Sequence, residues 1–177
     1  MFKLLSENRG KGFFSVENAA QETTIYLYDA IVGTDIEAEY WGGVSAETLV
    51  KTIRAVTAPV INLRVNSPGG DVFAARAIEQ ALRDSAATVI AHIDGYAASA
   101  ASFMVMAADQ IIMAKGAFLM IHKAWTIAIG NADAMTAQAA LLDKLDGTLA
   151  ETYATRSGME AEAVMQLMAA ETWFTAD

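Results

Sequence analysis

The stretch VINLRVNSPGG (60–70) decides the architecture of this chain, because a short β-branched run ends abruptly in a turn rich in glycine. Such a run followed by turn residues is typical of a strand buried in a sheet. The residues after the turn carry apolar side chains at the three-to-four spacing of an amphipathic helix. The run ATVIAHID (87–94) then repeats the strand pattern. A strand, a helix and a strand within about 35 residues predict a parallel crossover unit, and hence an α/β fold.

Further elements extend this pattern in both directions. TTIYLYD (23–29) alternates and predicts a strand, whereas residues 1–22 indicate a loose polar arm and residues 31–43 an exposed excursion. The other predicted elements are a helix over 45–56, a helix from Ser99 to about Ala108, strands over 110–114 and 117–122, a long helix from Asn131 to about Arg156, and a last helix over 160–170. We therefore expect a single domain over residues 23–177 behind an arm over 1–22.

The composition limits the classes of function. The chain has 177 residues, of which 54% are hydrophobic, so it is long enough and apolar enough for one globular domain. Its formal net charge of −9 argues against a nucleic-acid partner, which requires a basic face. The absence of cysteine excludes disulfides and thiolate metal sites. No signal peptide or membrane-spanning run is evident, so we expect a cytoplasmic protein without a membrane or metal partner.

Three features have the chemistry that acyl transfer by a serine requires. Ser99 follows a strand and a glycine within GYAASAAS (95–102), at the start of a helix whose unpaired amides favour developing negative charge. The glycines of NSPGG (66–70) can turn their amides outward, so backbone amides of such loops are able to bind an oxyanion. His122 ends an apolar strand and is the residue type that accepts a serine proton. Together these features predict a nucleophile, a base and an oxyanion hole.

The residues leave open which groups would assist the nucleophile and the base. Asp94 and Asp109 flank the helix that begins at Ser99 and are alternative acids for the triad. Lys115 and Lys123 would serve in a serine–lysine dyad if the histidine were not the base.

Two polar residues near these motifs are interpreted as structural. His92 has isoleucines close to it on its strand, which indicates a histidine of the sheet. Ser102 lies one helical turn after Ser99, and we expect it to tolerate alanine.

Four motifs resemble, in order and spacing, those of the Clp protease proteolytic subunit family. These motifs are NSPGGDV (66–72), GYAASAASFM (95–104), LMIHKAW (119–125) and ETWFTA (171–176). The WGG at 41–43 and the ETWFTA segment are similar to the Clp-like head maturation proteases of tailed phages and prophages. The resemblance covers residues 23–177, nearly the whole chain.

This resemblance implies a crotonase-like fold of repeated ββα units, with the long helix as a protruding handle that packs one ring of subunits against another. It implies a catalytic triad of Ser99 as nucleophile, His122 as base and Glu171 as acid. It also implies that the amides of Gly70 and Ala100 form the oxyanion hole.

The end of the chain departs from the family pattern in two ways. The main Clp branch has aspartate where this chain has Glu171. Family members also continue past this motif, so we expect a chain that ends at Asp177 to be truncated or processed. We expect Trp173 and Phe174 to hold the segment by packing into the core.

The function implied is a serine endopeptidase of the Clp type that cleaves unfolded polypeptide, or the scaffold and capsid polypeptides of a phage, without a cofactor. The expected assembly is a homo-oligomeric ring, a heptamer or stacked rings, with an ATP-driven unfoldase or phage capsid proteins as further partners. Two other functions stay open: an acyl-CoA hydratase or hydrolase of the crotonase class, and a catalytically inactive ring-forming structural protein.

Overall fold

Two compact units make up the part of the chain that the computed structural model describes, which is residues 13–177. The first unit comprises the residues up to Met120 together with Phe174–Asp177, and the second comprises Ile121–Trp173. The single domain expected over residues 23–177 therefore contains two units, each with its own internal contacts.

A mostly parallel sheet is the centre of the first unit. Its strands are β1 (Phe13–Asn18), β2 (Glu22–Tyr28), β5 (Val60–Ser67), β6 (Thr88–Ala98), β7 (Gln110–Met113), β8 (Phe118–Ile121) and β9 (Thr172–Thr175). Among the described residues the order is β1-β2-β5-β6-β8-β9, and β7 also pairs with β6. The pairs β2–β5, β5–β6, β6–β7 and β6–β8 are parallel, whereas β1 and β2 are antiparallel. Two short strands, β3 (Ile31–Val32) and β4 (Val44–Ser45), form a separate parallel pair. The predicted α/β fold is thus confirmed.

The loose arm expected over residues 1–22 is wrong for its second half. Strand β1 pairs along its length with β2, from Asn18 opposite Thr23 to Phe14 opposite Leu27. Strand β1 is stabilised by its hydrogen bonds to β2. The residues around FFSV are polar, so the local sequence pattern does not predict a strand there. Residues 1–12 lie outside the described residues.

In the described part of the first unit, four α-helices lie between the strands. They are α1 (Asp35–Trp41), α2 (Ala46–Ala55), α3 (Val72–Arg83) and α4 (Ala100–Met104), which continues as a 3₁₀ turn over Val105–Ala107. The excursion expected over 31–43 therefore contains a helix. A capping box begins α1: the Thr34 hydroxyl accepts from the Glu37 amide at 3.2 Å, and the Glu37 carboxylate accepts from the Thr34 amide at 2.9 Å.

One face of the sheet forms the core of the first unit. Along β2, β5 and β6 every second side chain is buried, as the two-residue period of a strand requires. The alternate side chains are half-buried and largely polar. Among them Asp94 accepts hydrogen bonds from Arg64 and Tyr28, and His92 Nε2 lies 3.1 Å from Asn62 Oδ1. His92 therefore has a partner within the sheet, in agreement with its structural interpretation.

The second unit consists mainly of α5 (Ala132–Ser157) and α6 (Ala161–Ala169). The long helix is confirmed with the expected ends: Asn131 caps it through the Ala134 amide at 3.0 Å, and Gly158 ends it with φ 74°. Leu149 and Tyr153 are buried, but the first half of α5 is almost wholly exposed. No helix in the described residues is long and apolar enough to span a membrane.

Candidate active site

Ser99 occupies a strained corner between strand β6 and helix α4. Its φ of 55° and ψ of −126° lie in a region that residues other than glycine rarely adopt. Holding a residue with a side chain in this backbone conformation costs about 1–3 kcal/mol. Its amide donates to the Met120 carbonyl at 3.0 Å, which extends the pairing of β6 with β8 up to this residue. The chain then turns at once into α4, and the serine side chain stays partly exposed. A sharp strand-to-helix corner of this kind presents a hydroxyl at the edge of a sheet.

The glycine loop after β5 lies against the Ser99 corner. Gly69 has φ 85°, and a Cβ at that position would lie 2.5 Å from the Ala98 carbonyl oxygen and 2.7 Å from the Ala100 nitrogen. Gly70 has φ 150°, and a Cβ there would lie 2.0 Å from the Ile31 carbonyl oxygen. Only glycine fits at either position, so Gly69 allows the close approach of this loop to the Ser99 corner and Gly70 allows its close approach to Ile31 of β3.

The two amides expected in the oxyanion hole both belong to this region. The loop is tied to β3, since the Ile31 amide donates to the Gly69 carbonyl at 2.8 Å and the Asp71 amide donates to the Ile31 carbonyl at 3.0 Å. These bonds leave the Gly70 amide between them. Within residues 13–177, neither the Gly70 amide nor the Ala100 amide donates to a protein acceptor. The first unit thus brings together Ser99 and both candidate oxyanion donors.

His122 is half-buried and belongs to the second unit. Burial holds the pKa of the His122 imidazole below its usual value of 6.5, because the charged form loses hydration. The negative charges of Glu171 and, to a smaller extent, Asp146 act in the opposite direction on this pKa. The net result is a neutral imidazole at neutral pH, which is the form that accepts a proton.

Glu171 lies in the same unit, at the turn between α6 and β9. Its φ is 49°, a left-handed conformation that residues with a Cβ seldom adopt. Its amide donates to the Met168 carbonyl at 3.2 Å, and the Thr172 hydroxyl donates to the Leu167 carbonyl at 2.7 Å. The turn is therefore held by the last residues of α6. His122 and Glu171, the expected base and acid, both lie in the second unit, where the charge of Glu171 raises the pKa of His122.

Asp146 is a further acid near His122 that the sequence analysis missed. It lies on α5 and is 4% exposed. Its Oδ1 accepts the Ala124 amide at 2.7 Å, and its Oδ2 lies 3.8 Å from Lys123 Nζ. The carboxylate therefore holds the backbone that directly follows the histidine. The sequence contains a signal for this residue. Asp146 lies four residues after Leu142 and three before Leu149, and this spacing places it on the same face of the helix as the two leucines.

Three of the four alternative acids and bases have other partners, and the fourth, Lys115, is exposed. Asp94 is bound to Arg64 and Tyr28 on the sheet, and Asp109 accepts the Val89 amide at 2.8 Å. Both belong to the first unit, and neither contributes to the pKa shift of His122. Lys123 pairs with Asp146 as described above, which weakens the case for a serine–lysine dyad.

The packing expected of Trp173 and Phe174 is wrong. Trp173 is 49% exposed and Phe174 is 36% exposed, so neither side chain is part of a core. Strand β9 lies at the edge of the sheet, and most of its side chains face solvent. The segment is anchored by its backbone and by the turn at Glu171 instead.

Comparisons with known proteins identify the family of this chain. Residues 15–177 match the sequence profile of the family described as Clp protease. A relative, the ATP-dependent Clp protease proteolytic subunit of Deinococcus radiodurans, is 28% identical over 139 residues, which cover 77% of this chain and 68% of the relative. The central sheet and the long helix are those expected of the Clp fold.

Proposed function

Because this chain belongs to the Clp protease family, we propose that it is a serine endopeptidase that hydrolyses unfolded polypeptide. The observation that carries this proposal is the backbone of Ser99. This serine is held at φ 55° between a strand and a helix. It lies beside a glycine loop in which the Gly70 amide donates to no protein acceptor within residues 13–177. Strain of this kind persists only where the surrounding structure enforces it, and it is concentrated at functional sites.

The proposed reaction is acyl transfer in two steps. The Ser99 hydroxyl oxygen attacks the carbonyl carbon of the peptide bond while its proton passes to His122, and the carbonyl oxygen becomes an oxyanion bound by the Gly70 and Ala100 amides. The intermediate then collapses, the C–N bond breaks, and His122 returns the proton to the leaving amine. Water repeats the sequence on the acyl-enzyme, and Ser99 is released. Glu171 orients the imidazole and stabilises its charged form.

We also propose that the chain works as a homo-oligomeric ring. Trp125, Ile127 and Ile129 alternate along the segment before α5 and are 56%, 64% and 96% exposed. The first half of α5 adds Met135 and Leu141 to this exposed apolar set. A helix with so little packing of its own gains stability from a neighbouring surface, and a second copy of the chain is the partner that the family suggests.

The finer parts of the function extend this proposal. The likeness of WGG (41–43) and ETWFTA (171–176) to phage proteases supports scaffold or capsid polypeptide as substrate. The name of the Deinococcus relative includes ATP dependence, which supports an ATP-driven unfoldase as a partner. A cytoplasmic location, in a bacterium or an infected host, belongs to the same proposal.

The test is hydrolysis of a fluorogenic peptide and of an unfolded protein by the wild type and by Ser99→Ala. We expect the variant to lose about 10⁶-fold in kcat, as removal of a serine nucleophile does, while its circular dichroism and oligomer mass stay unchanged. Ser85→Ala, a loop serine of the same unit, is the matched control and should retain wild-type rates. Substantial hydrolysis by Ser99→Ala would overturn the proposal. Inactivity of the wild type together with coenzyme A binding would favour the acyl-CoA alternative.

A further inference from the structure

The side-chain hydroxyl of Ser102 donates a hydrogen bond to the backbone carbonyl of Ser99. The Ser102 hydroxyl lies 2.7 Å from the Ser99 carbonyl oxygen, and the Ser102 amide lies 2.9 Å from the same oxygen. Ser102 is 0% exposed, and the remainder of α4 consists of buried apolar residues. One carbonyl oxygen therefore receives two hydrogen bonds from a single buried residue.

The Ser99 carbonyl and the Ala100 amide are parts of one peptide group. A peptide group is planar and trans, so the N–H points opposite to the C=O, and fixing the oxygen fixes the direction of the hydrogen. The two bonds from Ser102 draw the Ser99 carbonyl toward α4. They therefore turn the Ala100 N–H away from the body of α4, at the N-terminal end of this helix.

The other candidate donor is fixed through its carbonyl in the same way. The Gly70 N–H shares its peptide group with the Gly69 carbonyl, and that carbonyl accepts the Ile31 amide at 2.8 Å. Here the bond comes from a main-chain amide, which every substitution of Ile31 except proline leaves in place. On the Ser99 side one of the two bonds comes from a side chain, so its contribution can be measured by mutation.

We propose that Ser102 is a positioning residue, whose hydroxyl holds the Ser99–Ala100 peptide group so that the Ala100 amide faces the developing oxyanion. This inference rests on the proposed function. It reverses the expectation from sequence that alanine is tolerated here. Ser99 has φ 55° and is the N-cap of α4, so the helix holds this peptide group only through the Ser102 amide, and the Ser102 hydroxyl adds the second bond.

A similar bond elsewhere shows what a merely local role would look like. Ser157 donates to the Tyr153 carbonyl at 2.8 Å, near the end of α5, where both residues are helical. Such back-bonding satisfies a hydroxyl and at most bends a regular helix slightly, and the Ser157 hydroxyl also accepts the Met159 amide at 3.3 Å. Ser157→Ala is therefore the matched control for loss of a serine back-bond.

The experiment compares Ser102→Ala, Ser102→Cys and Ser157→Ala in steady-state peptide hydrolysis and in binding of a peptide boronate. The boronate forms a tetrahedral adduct, which places an oxygen where the oxyanion develops. Removing an oxyanion donor costs about 10²–10³ in kcat, and loosening one should cost about 10 to 100-fold. We expect kcat of Ser102→Ala to fall by that factor with KM within twofold, and boronate affinity to fall in parallel. Cysteine, with a weaker donor in nearly the same volume, should lie between, and Ser157→Ala should match the wild type.

The outcomes separate this inference from the proposed function. If Ser99→Ala is inactive and Ser102→Ala keeps the wild-type kcat and boronate affinity, the positioning role is wrong and the peptidase stands. If Ser99→Ala still hydrolyses peptides, both fall. If Ser102→Ala does not fold, Ser102→Cys decides: a folded variant with reduced kcat and boronate affinity supports the role, and one with wild-type values of both contradicts it.

Discussion

The surroundings of Ser99 and of His122 are fixed by different kinds of interaction. Ser99 is held by hydrogen bonds to its main chain and by close packing. Its amide donates to the Met120 carbonyl, its carbonyl accepts two bonds from Ser102, and Gly69 packs closely against its strained backbone. His122 is held among charges, with Glu171 and Asp146 acting on its pKa. Steric constraint at Ser99 is insensitive to pH, whereas the electrostatic surroundings of His122 change with pH and with the loss of single charges.

The two units also differ in how completely they are covered. The first unit buries one full face of its sheet beneath its helices. The second exposes the first half of α5 and the apolar segment before it. We infer that the nucleophile corner is complete within a single chain, whereas the surroundings of the base depend on assembly. Substitutions in the second unit test this difference, and we expect each of them to have a smaller effect than the roughly 10⁶-fold loss expected for Ser99→Ala.

Glu171→Gln should give the largest effect after the nucleophile. Loss of the acid member of a triad costs about 10⁴-fold in kcat, and KM should change little. Since the Glu171 charge raises the pKa of His122, its removal lowers that pKa, and the acid limb of kcat/KM should move to lower pH. Steady-state kinetics across pH would measure both.

The control for this prediction is Glu162→Gln, in the first turn of α6, which should keep the wild-type turnover and pH profile. Wild-type turnover in Glu171→Gln would instead show that another group orients the imidazole, with Asp146 the nearest alternative on this structure.

Ile127→Asp tests whether the second unit is completed by other copies. A charge placed in an apolar contact costs several kcal/mol, and about 3 kcal/mol per contact lowers an association constant roughly 100-fold. We expect native mass spectrometry at low micromolar concentration to show smaller species than in the wild type, with lower hydrolysis. Ile36→Asp is the matched control, because Ile36 on α1 is 68% exposed and Ile127 is 64% exposed. Equal masses for both variants and the wild type would exclude this segment from the ring contact.

Asp146→Asn should have the smallest effect. The amide oxygen of asparagine can still accept the Ala124 N–H, so only the charge is lost. We expect kcat to fall about tenfold or less, equivalent to about 1.4 kcal/mol, and the acid limb to move to lower pH, since this charge also raises the pKa of His122. An acid limb at the wild-type position would show that Asp146 acts through the backbone alone.

The sequence predicts most elements of the fold because their patterns are local. The strand and helix around residues 60–83 carry their own periodicity and turn residues, and so do the long helix and its cap at Asn131. Strand β1 was missed because its stability comes from pairing with β2, and α1 because its short sequence has little apolar periodicity.

The candidate site was predictable only in part. The types and spacing of Ser99 and His122 indicate a nucleophile and a base, but the positive φ of Ser99 and Glu171 is imposed by their surroundings. Both positions would favour glycine if local energy alone decided. The roles of Ser102 and Asp146 depend on which carbonyl or amide each side chain meets, and that contact is a property of the folded chain.

The most direct test of whether Ser99 is the nucleophile is to map, by mass spectrometry, the adduct that a fluorophosphonate forms with the assembled wild-type protein. The probe requires a serine activated by a base and an oxyanion hole that binds the phosphonyl oxygen. We expect one adduct per subunit, on the peptide that contains Ser99, and none in Ser99→Ala. Labelling at another serine, or no labelling of a protein that hydrolyses peptides, would contradict it.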